Sequence, residues 1–175
     1  TMAGERRQMV SVLTILGLDE MMGRYATYTD VADVVRARYS DPAGTLAELF
    51  RRIAVNICIG NTDDHARNHA AFWDGHTLAL TPAYDLCPQP RSGREANQAM
   101  AFGPNGQRAA RLTLLLESAP TYLLSQRAAR NILDEVVNGI RNSYRGWADQ
   151  ARLTTRGASR LMGRRILEPC GIEER

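Results

Sequence analysis

The sequence predicts a mainly α-helical domain with one or two small β-hairpins near its middle, and three features carry that expectation. In "DPAGTLAELFRRIAVNICIGN", residues 41–61, Leu46, Leu49, Phe50, Ile53, Ala54 and Ile57 recur at the helical period. In residues 122–153, Leu124, Ala128, Ile132, Val136 and Ile140 stay roughly in phase. Between these segments, Asp74-Gly75 separates two apolar, partly alternating runs, which is a strong hairpin signal.

The elements follow in order. Residues 11–23, "SVLTILGLDEMMG", read as an apolar helix stopped by Gly23. Residues 29–39, "TDVADVVRARY", read as a second helix with Thr29 or Asp30 as N-cap and Val31, Val34 and Val35 on one face. Asp41-Pro42 opens the third helix and Gly60 ends it. The hairpin follows in "HAAFWDGHTLALTP", with Pro82 closing its second strand. "AYDLCPQP" starts a loop, and a further short hairpin could turn at Asn105-Gly106. The helix over 122–153 comes next, and a last one covers "ASRLMGRRILE" before Pro169.

Composition sets the class. With 175 residues, 44% of them hydrophobic and 23% charged, the chain is long enough for one globular domain with its own core. Its apolar runs fall short of the ~20 residues of a membrane span, so no membrane association is expected. The first ten residues carry charge without a sustained apolar run after it, unlike a secretory signal, so a cytoplasmic location is expected. Cys58, Cys87 and Cys170 form no CxxC pair and are odd in number, which argues for reduced, packing cysteines. All 22 basic residues are Arg and the net charge is +3. They are spread singly, without a dense block or interleaved aromatics, which speaks against direct nucleic-acid binding.

One stretch stands apart. "NTDDHARNH", residues 61–69, sets two carboxylates, two imidazoles and two carboxamides directly behind an apolar run. Buried polar groups need partners, so such a cluster is a solvated turn or a site. Asp63 and Asn68 have the D-x-x-x-x-N spacing of a kinase catalytic loop. In that chemistry a carboxylate orients the attacking hydroxyl and accepts its proton, while a carboxamide oxygen binds Mg²⁺. A second metal-holding carboxylate lies past a short hairpin, and Asp85 in "PAYDL" stands there. The D-x-x-x-x-N element alone is weak, because Asx residues are common in turns. The ordered set Asp63, Asn68, Asp85 is more specific.

These two stretches, "GNTDDHARNHAAFW" and "LTPAYDLCP", resemble the HipA family of serine/threonine kinases, with its TDxHxxN and YD[LI] motifs. The resemblance runs from about Leu18 to the last helices. It implies the C-lobe of a protein-kinase-like fold, with residues 1–175 forming a single lobe and the N-lobe lying outside this chain. It further implies Asp63 as catalytic base. His65, Arg67 and Asn68 would line the nucleotide site, with Asn68 on Mg²⁺. Tyr84 and Asp85 would take the place of a DFG motif, Asp85 on the metal. ATP and Mg²⁺ would be the cofactors. The partners implied are a protein substrate with a Ser or Thr, the N-lobe, and a small helix-turn-helix antitoxin that alone would contact DNA. The chain has no lysine and no G-x-G-x-x-G run for the phosphates, so this lobe by itself is expected to be inactive.

Two other readings stay open: a helical scaffold for an antitoxin-like partner, and a hydrolase in which Asp63, His65, His69 and Asp85 hold a transition metal. No His-x-x-x-His helix motif supports the latter. Asp64 reads as a solvated neighbour of Asp63, and His69 and His76 as surface or hairpin residues. His65 is balanced between a loop-structuring and a nucleotide-contacting role. Trp73, Trp147 and the methionines read as core or partial core.

Overall fold

The structure of the protein, a computed structural model, describes residues 7–88, 96–164 and 166–167. Six α-helices and three strands are formed among the described residues. They are β1 (Gln8–Ser11), α1 (Val12–Ile15), α2 (Tyr28–Arg38), α3 (Pro42–Ile59), β2 (Ala70–Trp73), β3 (Leu78–Leu80), α4 (Leu112–Glu117), α5 (Gln126–Gln150) and α6 (Thr155–Arg164).

Helix α3 is the central post. Asp41 caps it by accepting from the Gly44 backbone N–H at 3.0 Å, and Pro42 occupies its first turn, where a missing N–H costs nothing. Leu46, Leu49, Phe50, Ile53 and Ile57 are all buried to 1% exposure or less. Each such side chain contributes about 1.5–3 kcal/mol of burial free energy before chain entropy is counted. Helices α2, α4 and α5 pack around this stripe, and Phe50 meets Tyr122 edge-on with ring centroids 5.5 Å apart. Gly60 ends the helix at φ +73°, a left-handed turn that glycine adopts without steric cost.

The sheet is antiparallel in the order β1-β2-β3. The expected hairpin is β2 and β3, with Phe72 opposite Ala79. Asp74 shapes its turn by accepting from the backbone N–H groups of His76 and Thr77, both at 2.8 Å. Strand β1 is an addition. It pairs Gln8 with Trp73 through Ser11 with Ala70, where only Ser11 was expected to belong to an element, the first helix. Ser11 then caps a single helical turn, and Gly17 at φ +67° lies just beyond it.

Three other boundaries move. Helix α2 has its N-cap at Thr27, two residues before Thr29 and three before Asp30, because Thr27 and Asp30 form a reciprocal capping box that satisfies both backbone N–H groups. Helix α5 begins at Gln126 behind a Ser125 cap, while Tyr122 belongs to a preceding 3₁₀ turn. The Asn105-Gly106 turn forms, closed by the Gly106 N–H on the Gly103 carbonyl at 3.0 Å, but it joins a single Asn97–Ala109 bridge rather than two strands. Helix α6 starts at Thr155, earlier than expected, and Cys170 lies outside the described residues. Trp73 and Trp147, read as core or partial core, are 39% and 54% exposed. Met100 is buried, whereas Met9, Met21 and Met22 are exposed. Cys58 is buried in α3 and Cys87 is exposed.

Candidate active site

The polar stretch 61–69 leaves α3 at Gly60 and is pinned along its length. The Asn61 carboxamide donates to Asn56 Oδ1 at 3.0 Å. The Thr62 carbonyl accepts from the Ala99 N–H at 3.1 Å, and the His69 carbonyl from the Val12 N–H at 2.8 Å. A 3₁₀ turn, Ala66–Asn68, is closed by the Asn68 N–H on the His65 carbonyl at 2.8 Å. The loop is thus held between α3, the β1–α1 junction and the segment before α4.

Its anchor is Asp64, which corrects the expectation of a solvated side chain. Asp64 is 3% exposed. Its Oδ2 accepts from Asn56 Nδ2 at 2.6 Å and from the Tyr28 hydroxyl, and lies 3.1 Å from His69 Nε2. His69 is likewise no surface residue: it is 2% exposed and meets the Tyr28 ring edge-on. A carboxylate removed from water needs such donors, and α2, α3 and the start of β2 supply them. Sequence spacing holds no trace of this cluster, because Tyr28 enters from 36 residues away.

The six residues expected to form a site are placed as follows. Asp63 faces solvent, next to the buried Asp64. Asn68 is 6% exposed, and its Nδ2 sits 3.5 Å from the Asp63 carbonyl, at the outer limit of a hydrogen bond. Arg67 is exposed and His65 half-buried. The Tyr84 hydroxyl donates to the Arg67 carbonyl at 2.7 Å, which ties the second motif to the first. Burial, followed by the neighbouring Asp85 carboxylate, raises the Tyr84 phenol above its ordinary pKa of 10.0. Asp85 is exposed at φ +58°, a left-handed conformation rare outside glycine, and its carbonyl lies 3.5 Å from Asn61 Nδ2.

Two further residues that spacing did not single out hold the second motif. Arg52, 7% exposed in α3, donates from Nη2 to the Thr81 carbonyl at 2.6 Å and from Nε to Glu48 at 2.9 Å. Thr81 returns its own N–H to the Ala70 carbonyl at 3.0 Å, so the chain entering Pro82–Asp85 is fixed to both α3 and β2.

Beside Asp63 opens a cleft of about 350 Å³, with Glu20, Arg24, His65, Arg67 and Arg108 among its lining residues. Among the described residues no group of three His, Cys, Asp or Glu side chains is arranged to hold a metal. His69, one of the four residues of the hydrolase reading, is turned inward onto Asp64. The oxygen donors that remain are the Asp63 and Asp85 carboxylates and the Asn68 carboxamide oxygen. Mg²⁺, which takes one or two protein oxygens and completes its shell with phosphates and water, fits such a set better than a transition metal.

The family model of HipA-like C-terminal domains matches residues 1–144. Comparison with curated proteins gives no match. Among solved structures, the chain is similar to HipA in the complex of the Shewanella oneidensis MR-1 toxin–antitoxin system HipA, HipB and its operator DNA. The identity is 17% and the TM-score 0.69, with 92% of this chain and 43% of that chain covered. The likeness at that identity is one of fold: a mostly helical body with a small antiparallel sheet, in a kinase-like arrangement. The present chain spans less than half the length of that relative. The match over residues 1–144 places the chain in the family of HipA-like C-terminal domains.

Proposed function

We propose that this chain is the catalytic lobe of an ATP- and Mg²⁺-dependent serine/threonine protein kinase of a toxin–antitoxin pair. The observation that carries the reading is the bond from the Tyr84 hydroxyl to the Arg67 carbonyl. It joins the Asp63–Asn68 loop to the Tyr84–Asp85 segment, two motifs separated by a whole hairpin, as a site split between loop and hairpin requires.

In this reading Asp63, exposed on a loop whose neighbour is locked in the core, orients the acceptor hydroxyl. That oxygen bonds to the γ-phosphorus while the bond to the β–γ bridging oxygen breaks, ADP departs, and the hydroxyl proton passes to Asp63. Asn68 and Asp85 would hold Mg²⁺, which neutralises phosphate charge when bound. His65 and Arg67 would face the phosphates, and Tyr84 supports the loop from behind. A lysine and a phosphate cradle would come from an N-lobe, because this sequence has no lysine. A helix-turn-helix antitoxin is the proposed partner, by analogy with the HipB and operator DNA of the Shewanella complex.

The test is calorimetry of ATP binding, with and without Mg²⁺, on this chain and on a version extended upstream through its gene. Mg²⁺-dependent binding by the extended protein, with incorporation of labelled phosphate into Ser or Thr, is expected. Absence of binding by both forms would overturn the kinase reading and leave the scaffold role.

A further inference from the structure

We propose that Asn56 and Asn61 are positioning residues: two buried carboxamides that carry the fixed orientation of Asp64 across to the backbone of Asp85. The inference rests on the kinase reading in one respect, that Asp85 is the carboxylate whose aim matters for Mg²⁺.

The contacts form a chain. Asp64 Oδ2 accepts from Asn56 Nδ2 at 2.6 Å. Asn56 Oδ1 accepts from Asn61 Nδ2 at 3.0 Å. The same Asn61 Nδ2 reaches the Asp85 carbonyl at 3.5 Å. Asp64, Asn56 and Asn61 are 3%, 1% and 2% exposed, so the chain runs through the interior, where each such bond is strengthened and each broken one is costly.

Asp64 sets the sense of every bond. A carboxylate only accepts, so Asn56 turns its N–H₂ toward Asp64 and its oxygen toward Asn61. Asn61 must answer with its own N–H₂. One of those protons goes to Asn56, and the other is left for the Asp85 carbonyl. A carboxamide turned over at either position would set oxygen against oxygen, at Asp64 or at Asp85. The backbone holds the pair as well: across the left-handed Gly60 turn, the Asn61 N–H donates to the Asn56 carbonyl at 2.9 Å.

Asp85 needs such a hold. Residues 82–88 are exposed and form neither helix nor strand, and Asp85 sits at φ +58°. A residue other than glycine persists in that conformation when its surroundings determine it. Tyr84 is tied through its hydroxyl to the Arg67 carbonyl, while the Asp85 carbonyl itself is met by Asn61. At 3.5 Å this last contact is at the outer limit of a hydrogen bond, so a small turn of the Asn61 amide breaks it. Once the backbone of Asp85 is set, so is the direction of its side chain. Mg²⁺ demands near-octahedral geometry, which makes that direction matter.

The experiment follows Asp85 in this chain by NMR, through the Cα and Cβ shifts that report its φ, in Asn61→Ala and Asn56→Ala. Both variants are expected to move Asp85 away from left-handed values. Asn56→Ala does so from a distance, by leaving the Asn61 amide free to turn. In the upstream-extended protein, Asn61→Ala is expected to raise the Mg²⁺ concentration for half-maximal transfer about tenfold, as loss of an outer-shell partner does, while the maximal rate falls far less. A merely structural defect would lower the maximal rate and leave the Mg²⁺ midpoint in place. In the wild-type chain, the side-chain N–H₂ protons of Asn56 and Asn61 are expected to exchange slowly with solvent, a measurement that needs no variant to fold.

An unshifted Asp85 in folded Asn61→Ala, a shift in Asn61→Ala without one in Asn56→Ala, an unmoved Mg²⁺ midpoint, or rapidly exchanging N–H₂ groups would each overturn the assignment. The kinase reading fails separately. Absence of phosphoryl transfer by the extended wild-type protein, with Asp85 still shifted by both variants, removes the kinase and keeps the two carboxamides as the hold on Asp85.

Discussion

Both carboxylate oxygens of Asp64 lie 3.1 Å from Nε2 of His69, in a pocket where each residue is at most 3% exposed. With the proton on Nε2, the imidazole donates to the carboxylate, and its Nδ1 is left buried without a partner among the described residues. The Asp64–His69 contact closes the loop across its 3₁₀ turn, so Asp63 projects to solvent and Asn68 stays buried on a fixed base. Asp64→Ala strips Tyr28, Asn56 and His69 of their shared acceptor at once. It is expected to cost about 3 kcal/mol, the range for breaking a buried charged hydrogen-bond cluster. Asp64→Asn keeps the shape but turns an N–H₂ toward donors, and should cost about 1–2 kcal/mol. Urea denaturation measures both, and an Asp64→Ala midpoint equal to wild type would rule out this anchor.

Tyr39 offers the opposite case. Its hydroxyl is buried and has no partner among the described residues. Burial is the main cause of a phenol pushed up to about 12 from 10.0, with Arg52 and Arg38 pulling the other way. A folded-state pKa above the unfolded one means the contribution is fully present below pH 10.0 and is lost as pH rises through about 12. Tyr39→Phe removes an orphaned hydroxyl, so it is expected to leave neutral-pH stability unchanged or raised by up to about 1 kcal/mol. The variant should also lose less stability than wild type on moving from about pH 8 to about pH 11. Chemical denaturation at the two pH values checks it. A marked loss at neutral pH would reveal a partner for the hydroxyl.

The parts of the fold legible in the sequence are those whose signal is local. The period of Leu46 to Ile57 and the Gly60 stop sit inside one element, and α3 matches them. The Asp74-Gly75 turn likewise carries its own hydrogen bonds. Strand β1 was illegible because its four residues pair with β2, some sixty residues on, and no local pattern separates them from the helical turn that follows. The same holds for the site. Asp63, Asn68 and Asp85 are singled out as candidates by their order along the chain alone. Asp64 and His69 were misread as solvated because Tyr28 and Asn56 decide their burial, and both come from other elements. Arg24 and Arg108 join the cleft only through tertiary placement.

Asp74 gives a pH dependence on the hairpin. The backbone N–H of Thr77, then that of His76, hold its carboxylate below the ordinary value of 3.8. A depressed folded-state pKa means this contribution is present above about pH 4 and is lost as pH falls through the lower folded value. NMR titration of the Asp74 side-chain carbonyl is expected to show a midpoint below that of a free aspartate. The amide shifts of His76 and Thr77 should follow the same curve. A midpoint at or above the free value would mean the turn does not hold its two N–H donors in solution.

Asp85 separates conformation from chemistry. Its φ of +58° is tolerated by Asp better than by most residues, yet it still costs free energy that glycine would not. Asp85→Gly is therefore expected to raise thermal stability, by up to about 1 kcal/mol. Asp85→Ala, which keeps the Cβ and loses the short polar side chain, should be no more stable than wild type. Because the carboxylate is exposed, neither change should unfold the chain. In the upstream-extended protein both variants are expected to abolish Mg²⁺-dependent phosphoryl transfer, as is Asp63→Ala. A folded Asp85→Gly protein that is inactive would separate the side chain's role from backbone geometry. Full transfer by that variant would remove Asp85 from the proposed Mg²⁺ site and leave the left-handed turn as a structural feature alone.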